Sequence, residues 1–344
     1  MKFERSPFGI GVSAWVLVFV WGISDQGLAT EPMGKPIRCE VVPLPGQEVS
    51  FRIDGVEKTR WHYGADSPRP FFFPLRGPQG GELTRMGHPG APNHDHHRSV
   101  WFAHHKVAGE DFWGDGHGTS IRQKRWMAYQ DGDEEAIMAT VCGWYGADGS
   151  ELVEQEVIVA LLPLSDGEYA LEIQTTLRPG GGRPQTRLEK TNFGLLAVRV
   201  AKSVSAHFGQ GRLTNGEGLQ GEQAIFGKRA RWMDYSGPIA IGEGDARRMV
   251  AAGVTLFDHP GNPRHPTHWH VRDDGWMGAA CCFEAEHLLT AEQPLVLRYL
   301  LHAHATDLPT RAAEVFAAFS ARRPFRVERA AETHVQFVIH RDSK

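Results

Sequence analysis

The chain has 344 residues, a formal net charge of −4 with both signs interspersed, and 41% hydrophobic residues. That length allows one large domain or two ordinary ones, and that apolar content supports a packed core and excludes global disorder. The absence of a basic stripe argues against nucleic acid as a partner, and counts of Gly 39 and Pro 21 fit short strands and turns better than a helical bundle.

Residues 1–29 read as an export signal: Lys2 and Arg5 give a charged start, Phe8 to Ile23 an apolar run, and Gly27-Leu28-Ala29 a small-residue cleavage site. The run is broken by Gly9, Gly11, Ser13 and Gly22 and is short for a membrane span, so an uncleaved anchor is the second choice. The remaining residues, 30–344, hold no apolar stretch long enough to cross a bilayer. They are expected as a single β-supersandwich domain in the periplasm or outside the cell. Cys39, Cys142, Cys281 and Cys282 form no CxxC and make no disulfide scaffold. They read as buried thiols, with adjacent Cys281 and Cys282 on opposite faces of a strand.

After the signal nearly everything reads as β. Strand-like runs are expected at Val49–Ile53, Thr119–Gln130, Ala136–Tyr145, Leu152–Leu162 and Phe193–Val200, then at Ala252–Phe257, Leu295–Ala305 and Thr333–Ile339. Glu168–Gln174 alternates most cleanly, with Tyr169, Leu171 and Ile173 facing inward. Turns at Asp131-Gly132-Asp133, Ala147-Asp148-Gly149, Ser165-Asp166-Gly167 and Pro179–Gly182 separate them. Strands at this spacing without intervening helices predict an all-β antiparallel sandwich. One short helix is expected from Ala312 to Arg322, capped by Asp307, with Pro309 in its first turn and Val315, Phe316 and Phe319 on one face.

Two segments concentrate chemistry. The first is His94-Asp95-His96-His97-Arg98, followed by Trp101, His104-His105 and Glu110-Asp111-Phe112-Trp113. In an extended segment His94 and His96 share a face and His97 opposes them, an arrangement that suits a metal or a proton-transfer pair. It is not His-Glu-x-x-His, so a zinc-protease reading fails. The second is Asp258–His270, a proline-rich loop in which Asp258, His259, Asn262, Arg264, His265 and His270 suit sugar hydroxyls or a carboxylate. A solvated turn with incidental histidines is its plain alternative. Arg69–Leu75 reads as a buried strand, or as the base from which Arg69, Arg76 or Arg85 clamps a ligand. Arg298, His302 and His304 share a strand face, and Trp232–Gly237 packs Asp234 between aromatics.

Arg69–Leu75, His94–Arg98 running through Asp111-Phe112-Trp113, Arg231–Gly237 and Asp258–Arg264 occur in this order in a soluble bacterial family that the chain resembles over roughly residues 45 to 340. That family carries the label "methane oxygenase PmoA" and is also filed as a domain of unknown function. The membrane subunit of that name is built from several transmembrane helices, which this chain does not match, so the label implies no methane chemistry here. A fold-level similarity to galactose-mutarotase-like supersandwiches implies a cleft in which histidines and a carboxylate bind sugar.

Together these readings predict one cleft that processes a small sugar or oligosaccharide. His94, His96, His97, Asp111, His259 and His265 would carry acid/base work, and Arg69, Arg76, Arg98, Trp101, Trp113, Asp258, Asn262, Arg264 and His270 would hold substrate. The alternatives are a metal-dependent hydrolase or lyase, with Zn, Mn or Ca on His94, His96 and His104, and a non-catalytic glycan-binding protein.

Overall fold

The computed structural model describes residues 34–343, and the expected export signal lies outside them. In chain order the strands begin with β1 (Cys39–Leu44), β2 (Glu48–Ile53), β3 (Val56–His62), β4 (Phe71–Phe72) and β5 (Val100–His104). Next come β6 (Ser120–Gln130), β7 (Ala136–Tyr145), β8 (Glu151–Pro163), β9 (Tyr169–Pro179), β10 (Gln185–Leu188) and β11 (Gly194–Arg199). After β12 (Arg212–Asn215) and the single turn α1 (Glu222–Ile225) follow β13 (Trp232–Ile241), β14 (Arg248–Asp258), β15 (His268–Arg272), β16 (Trp276–Ala280) and β17 (His287–Thr290). The chain closes with β18 (Leu295–His304), helix α2 (Ala312–Ala321) and the hairpin β19 (Phe325–Arg329) and β20 (Phe337–Arg341).

Two eight-stranded sheets carry the fold, in the orders β1-β2-β3-β4-β5-β11-β16-β15 and β12-β13-β14-β18-β9-β8-β7-β6. Every pairing within them is antiparallel, and the expected all-β sandwich with one short C-terminal helix is what forms. The main core lies between the sheets, where Phe51, Trp61, Phe102, Val198 and Trp269 of the first meet Met138, Val159, Leu171, Val254 and Leu301 of the second. Alternation decides which residues take part: Tyr169, Leu171 and Ile173 enter this core as expected, while Ala170 points the other way. The outer face of the second sheet is covered by Val315 and Phe319 of α2 and by Phe325 and Ile339 of the hairpin, packed on Phe257 and Leu300. The outer face of the first sheet bears a separate aromatic layer of Trp101, Trp113 and Trp276. From Ile37 onward the described residues form one compact unit.

Some local expectations change. Asp307 does not cap α2: the N-cap is Arg311 without a side-chain bond, and Asp307 instead reaches Arg212 at 3.5 Å. The last strand runs over Phe337–Arg341 rather than Thr333–Ile339, since residues 331–334 turn to close the hairpin. Cys281 and Cys282 sit in a turn after β16, not within a strand, with sulfurs 3.9 Å apart and both thiols free.

Candidate functional site

The histidine segment is a turn, not a strand. Pro92, whose fixed φ suits the first helical position, starts a 3-10 turn over Pro92–His94, and the turn curls the three imidazoles together. Ring centroids lie 5.7 Å apart for His94 and His96, 5.4 Å for His94 and His97, and 4.6 Å for His96 and His97. The expected opposition of His97 therefore does not occur. The loop is closed at its base, where the Gly87 N–H donates to the His97 carbonyl over 2.8 Å. Two buried arginines fix its other side. Arg98 donates to the His96 carbonyl at 2.9 Å and to Asp115 at 2.9 Å, while Arg69 reaches Asp115 at 3.1 Å and the Gly114 carbonyl at 2.8 Å. Asp111 organises that partner loop by accepting the N–H groups of Trp113 and Gly114. So Arg69, Arg98 and Asp111 position the turn, and their polar atoms are already engaged.

Beneath the turn, His97 stacks on Trp101 at 5.5 Å and lies 5.8 Å from Trp276, which in turn sits 4.3 Å from His270. Trp101 is fully buried and Trp113 nearly so, so they form a floor under the histidines rather than open stacking walls. His270 comes from β15 on the same sheet, and it is the one member of the Asp258–His270 segment that joins the first cluster. The floor keeps its imidazoles neutral. Burial, reinforced by the neighbouring His96 and Arg199, pushes His97 far below the usual histidine range, and burial with Arg272 lowers His270 to about 3. His96 is also lowered, chiefly by burial. His96 and His270 each donate Nδ1–H to a backbone carbonyl, of Asn93 and Asn192 respectively. Their Nε2 atoms, with His97 Nδ1, Trp101 Nε1 and Nε and Nη2 of Arg199, are buried without a hydrogen-bond partner.

Arg199 and Trp276 are cross-strand partners on β11 and β16, and Arg199 links this floor to residues the sequence did not single out. Its Nη1 donates to Asp274 Oδ1 at 2.7 Å, and His88 Nε2 donates to Asp274 Oδ2 at 2.8 Å. The Gly90 N–H donates to His88 Nδ1, which fixes the proton of that ring on Nε2. Burial pushes the Asp274 carboxyl up, but Arg199 and His88 outweigh it and hold the carboxyl below its ordinary value. His88 lies 5.4 Å from His94 and 5.5 Å from Phe208, so it joins the histidine turn to a cavity of about 420 Å³. Glu222, Arg272 and Asp273 complete the polar part of that cavity, and Phe208 and His207 form its ring-bearing wall. The Asp273-Asp274-Gly275 turn and the pair His207-Phe208 were the sequence signals for it.

The rest of the second segment lies elsewhere. Asp258 ends β14 on the second sheet, where its carboxylate accepts Asn262 Nδ2 at 2.7 Å, His265 Nδ1 at 2.8 Å and the Thr267 N–H at 2.9 Å. His259 packs on Phe319 of α2 at 4.8 Å and meets Arg298 at 2.9 Å, while Arg264 binds the carbonyls of Cys281, Ala285 and Glu286. These groups satisfy one another and tie down a loop, so the expected single cleft of two clusters does not form. Arg76 also lies apart, its carbonyl accepting the Tyr169 hydroxyl. His104 falls on the core-facing side of β5, opposite Trp101, with Nε2 donating to the Glu189 carbonyl at 3.0 Å. It cannot join His94 and His96 around a metal, and among the described residues no set of three or more His, Cys, Asp or Glu is arranged to hold one.

Fold and site define the class: an antiparallel β-sandwich bearing a histidine-lined polar cavity on the outer face of one sheet. The family profile of DUF6807, a family of unknown function, matches residues 48–318, and the chain belongs to that family. No curated protein matches the chain. Among the described residues no helix is long and apolar enough to cross a membrane.

Proposed function

We propose that this protein is exported and processes carbohydrate, holding a sugar ring in the cavity beside His88 and moving protons with the neighbouring histidines. The cavity carries the reading. Its volume of about 420 Å³ falls in the range of roughly 300–1,000 Å³ common for small-molecule sites. Glu222 accepts from Arg272 and from the Asp273 N–H, both at 2.8 Å, so the lone pairs left on Glu222, Asp273 and Asp274 would take sugar hydroxyls, and Phe208 offers an apolar face to the ring. The antiparallel sandwich is an architecture that sugar mutarotases also use, which supports the reading by analogy only.

The chemistry proposed is mutarotase- or lyase-like. In the mutarotase form, His94 acts as the general acid and protonates the ring oxygen while the C1–O bond of the ring opens. The anomeric hydroxyl gives its proton to the Asp274 carboxylate, which His88 holds in place, and closure on the other face reverses both transfers. The 5.4 Å between the His88 and His94 rings suits an acid at His94 and a base held by His88 that act on one sugar. Metal-dependent hydrolysis is less well supported, because the residues expected as ligands lie on opposite faces of the first sheet.

The test is anomer exchange of aldoses followed by NMR, beside calorimetric binding of the same sugars. Exchange should slow at least tenfold in His94→Ala with binding retained, and Asp274→Asn should weaken binding at least tenfold. Binding without exchange, untouched by His94→Ala, would make the protein a glycan-binding module. No saturable binding of any sugar would sink the reading.

A further inference from the structure

The cavity beside His88 does not end at Phe208. That side chain also lines a second cavity of about 690 Å³, and Gln210, Pro238 and Met249 are shared between the second and a third of about 330 Å³. The three form one trough, running from His88 across Phe208 and Met249 to Arg212. One wall is the tight segment 202–211. Its backbone is so closely folded that a Cβ at Gly211 would lie 1.7 Å from the Val204 carbonyl oxygen, so only glycine fits there. A wall held by such backbone contact keeps the trough in shape without a ligand.

The chemistry changes along its length. The His88 end is rich in carboxylates. The middle is lined by Lys202 and Arg247 and by no acidic side chain, and neither cation forms an ion pair among the described residues. At the far end Arg212 meets only Asp307, at 3.5 Å, and both side chains are more than half exposed. Such a pair is screened by water and leaves the arginine available. Apolar area is exposed along the same line, with Met249 57% exposed beside Pro238 and Phe208. Apolar surface beside cations that are unpaired, as Lys202 and Arg247 are, or loosely paired, as Arg212 is, fits a ligand with apolar faces and several negative charges.

Building on the sugar-binding reading, we propose that the trough binds an anionic glycan chain, whose terminal unit enters the His88 cavity while its acidic units lie over Lys202, Arg247 and Arg212. The negative groups are carboxylates of uronic units or sulfate esters. The cavity takes the terminal unit through its hydroxyls, and the cations of the middle hold the acidic units that follow, which sets the direction of the chain.

The experiment is calorimetric titration of the wild type and a Lys202→Ala/Arg247→Ala double variant. The probes are galacturonate, tetragalacturonate, a heparin-derived tetrasaccharide, cellotetraose and tetraglutamate. An acidic tetrasaccharide should bind at least tenfold tighter than galacturonate and cellotetraose, and the advantage should shrink with added salt. The double variant should reduce it to less than twofold and leave galacturonate binding unchanged. A gain with the sulfated probe alone still supports the proposal and assigns sulfate esters as the charge. Equal binding of cellotetraose or tetraglutamate, or a gain that survives the double variant, overturns it. Single sugars that bind while no tetrasaccharide gains would remove the trough and leave the His88 cavity standing. No binding of any sugar would remove both.

Discussion

The two outer faces of the sandwich treat buried charge in opposite ways. On the second sheet Glu172, fully buried, receives Arg298 at 2.9 Å, Arg322 at 2.6 Å and Arg341 at 2.8 Å, so one carboxylate joins β9, β18, the end of α2 and the last strand. On the first sheet Arg199, equally buried, has a single carboxylate partner and leaves Nε and Nη2 without one. Surplus partners around an ion make a lock. An ion short of partners, beside a cavity and neutral histidines, marks a surface organised around something else. The lesson is that polar density alone does not locate a site; the balance of donors and acceptors does.

Three measurements bear on this contrast. The largest effect is expected from Glu172→Gln, which strands three arginines around a buried neutral amide. Breaking a buried ion pair by removing one partner costs about 3–5 kcal/mol, so urea unfolding should show a loss of that order. A loss below ~1 kcal/mol would mean that this face is not locked.

Next comes pH. His97 and His270 have folded pKa values below that of the unfolded chain, so the folded state binds fewer protons. Their stabilisation is fully present above about pH 6.5 and is lost as pH falls from there, for His270 down to about 3. Each contributes a slope of up to ~1.4 kcal/mol per pH unit. His270→Gln should flatten the unfolding free energy between pH 6.5 and 3. Glu172 is buried, yet its arginines hold it below its ordinary value, so its share is lost only at more acid pH, as pH falls through that depressed value. An unchanged slope in His270→Gln would show that the floor beneath the histidine turn is not dry.

The smallest effect is expected from Asp115→Asn, which weakens the hold of Arg69 and Arg98 on the partly exposed loop that backs the turn. It should cost ~1 kcal/mol or less in stability. Sugar exchange should fall more than stability, because His94 and His96 lose their fixed backing. Stability and exchange falling together would assign Asp115 to the fold alone.

Most of the second sheet was legible in the sequence, because β6 to β9 are long and separated by glycine turns. The first sheet was harder. Val100–His104 and Trp276–Ala280 are buried on both faces and show no alternation; in the second sheet the exception is β13, whose Gly237 and Pro238 argue against a strand. The histidine turn stood out by composition, but its geometry did not, since Pro92 converts an expected strand into a curl. The Asp258–Arg264 loop was misread for a physical reason. Residues that bind one another and residues that bind a ligand have the same composition, and only the fold separates them. His88, Arg199 and Asp274 are scattered singly through the chain and become neighbours through the pairing of β11 with β16 and the turn that leads from β15 into β16.

The lock at Glu172 also orders events in time. Arg341 lies 169 residues downstream of Glu172, and two of the three arginines, Arg322 and Arg341, fall beyond the residues 48–318 that match the family profile. During synthesis the second sheet can pair strand by strand, but its carboxylate has only Arg298 until Arg322 and then the final hairpin with Arg341 emerge. A chain truncated at residue 318 would contain every residue of the histidine cavity and still fail to settle, because the closing step belongs to its last twenty-odd residues.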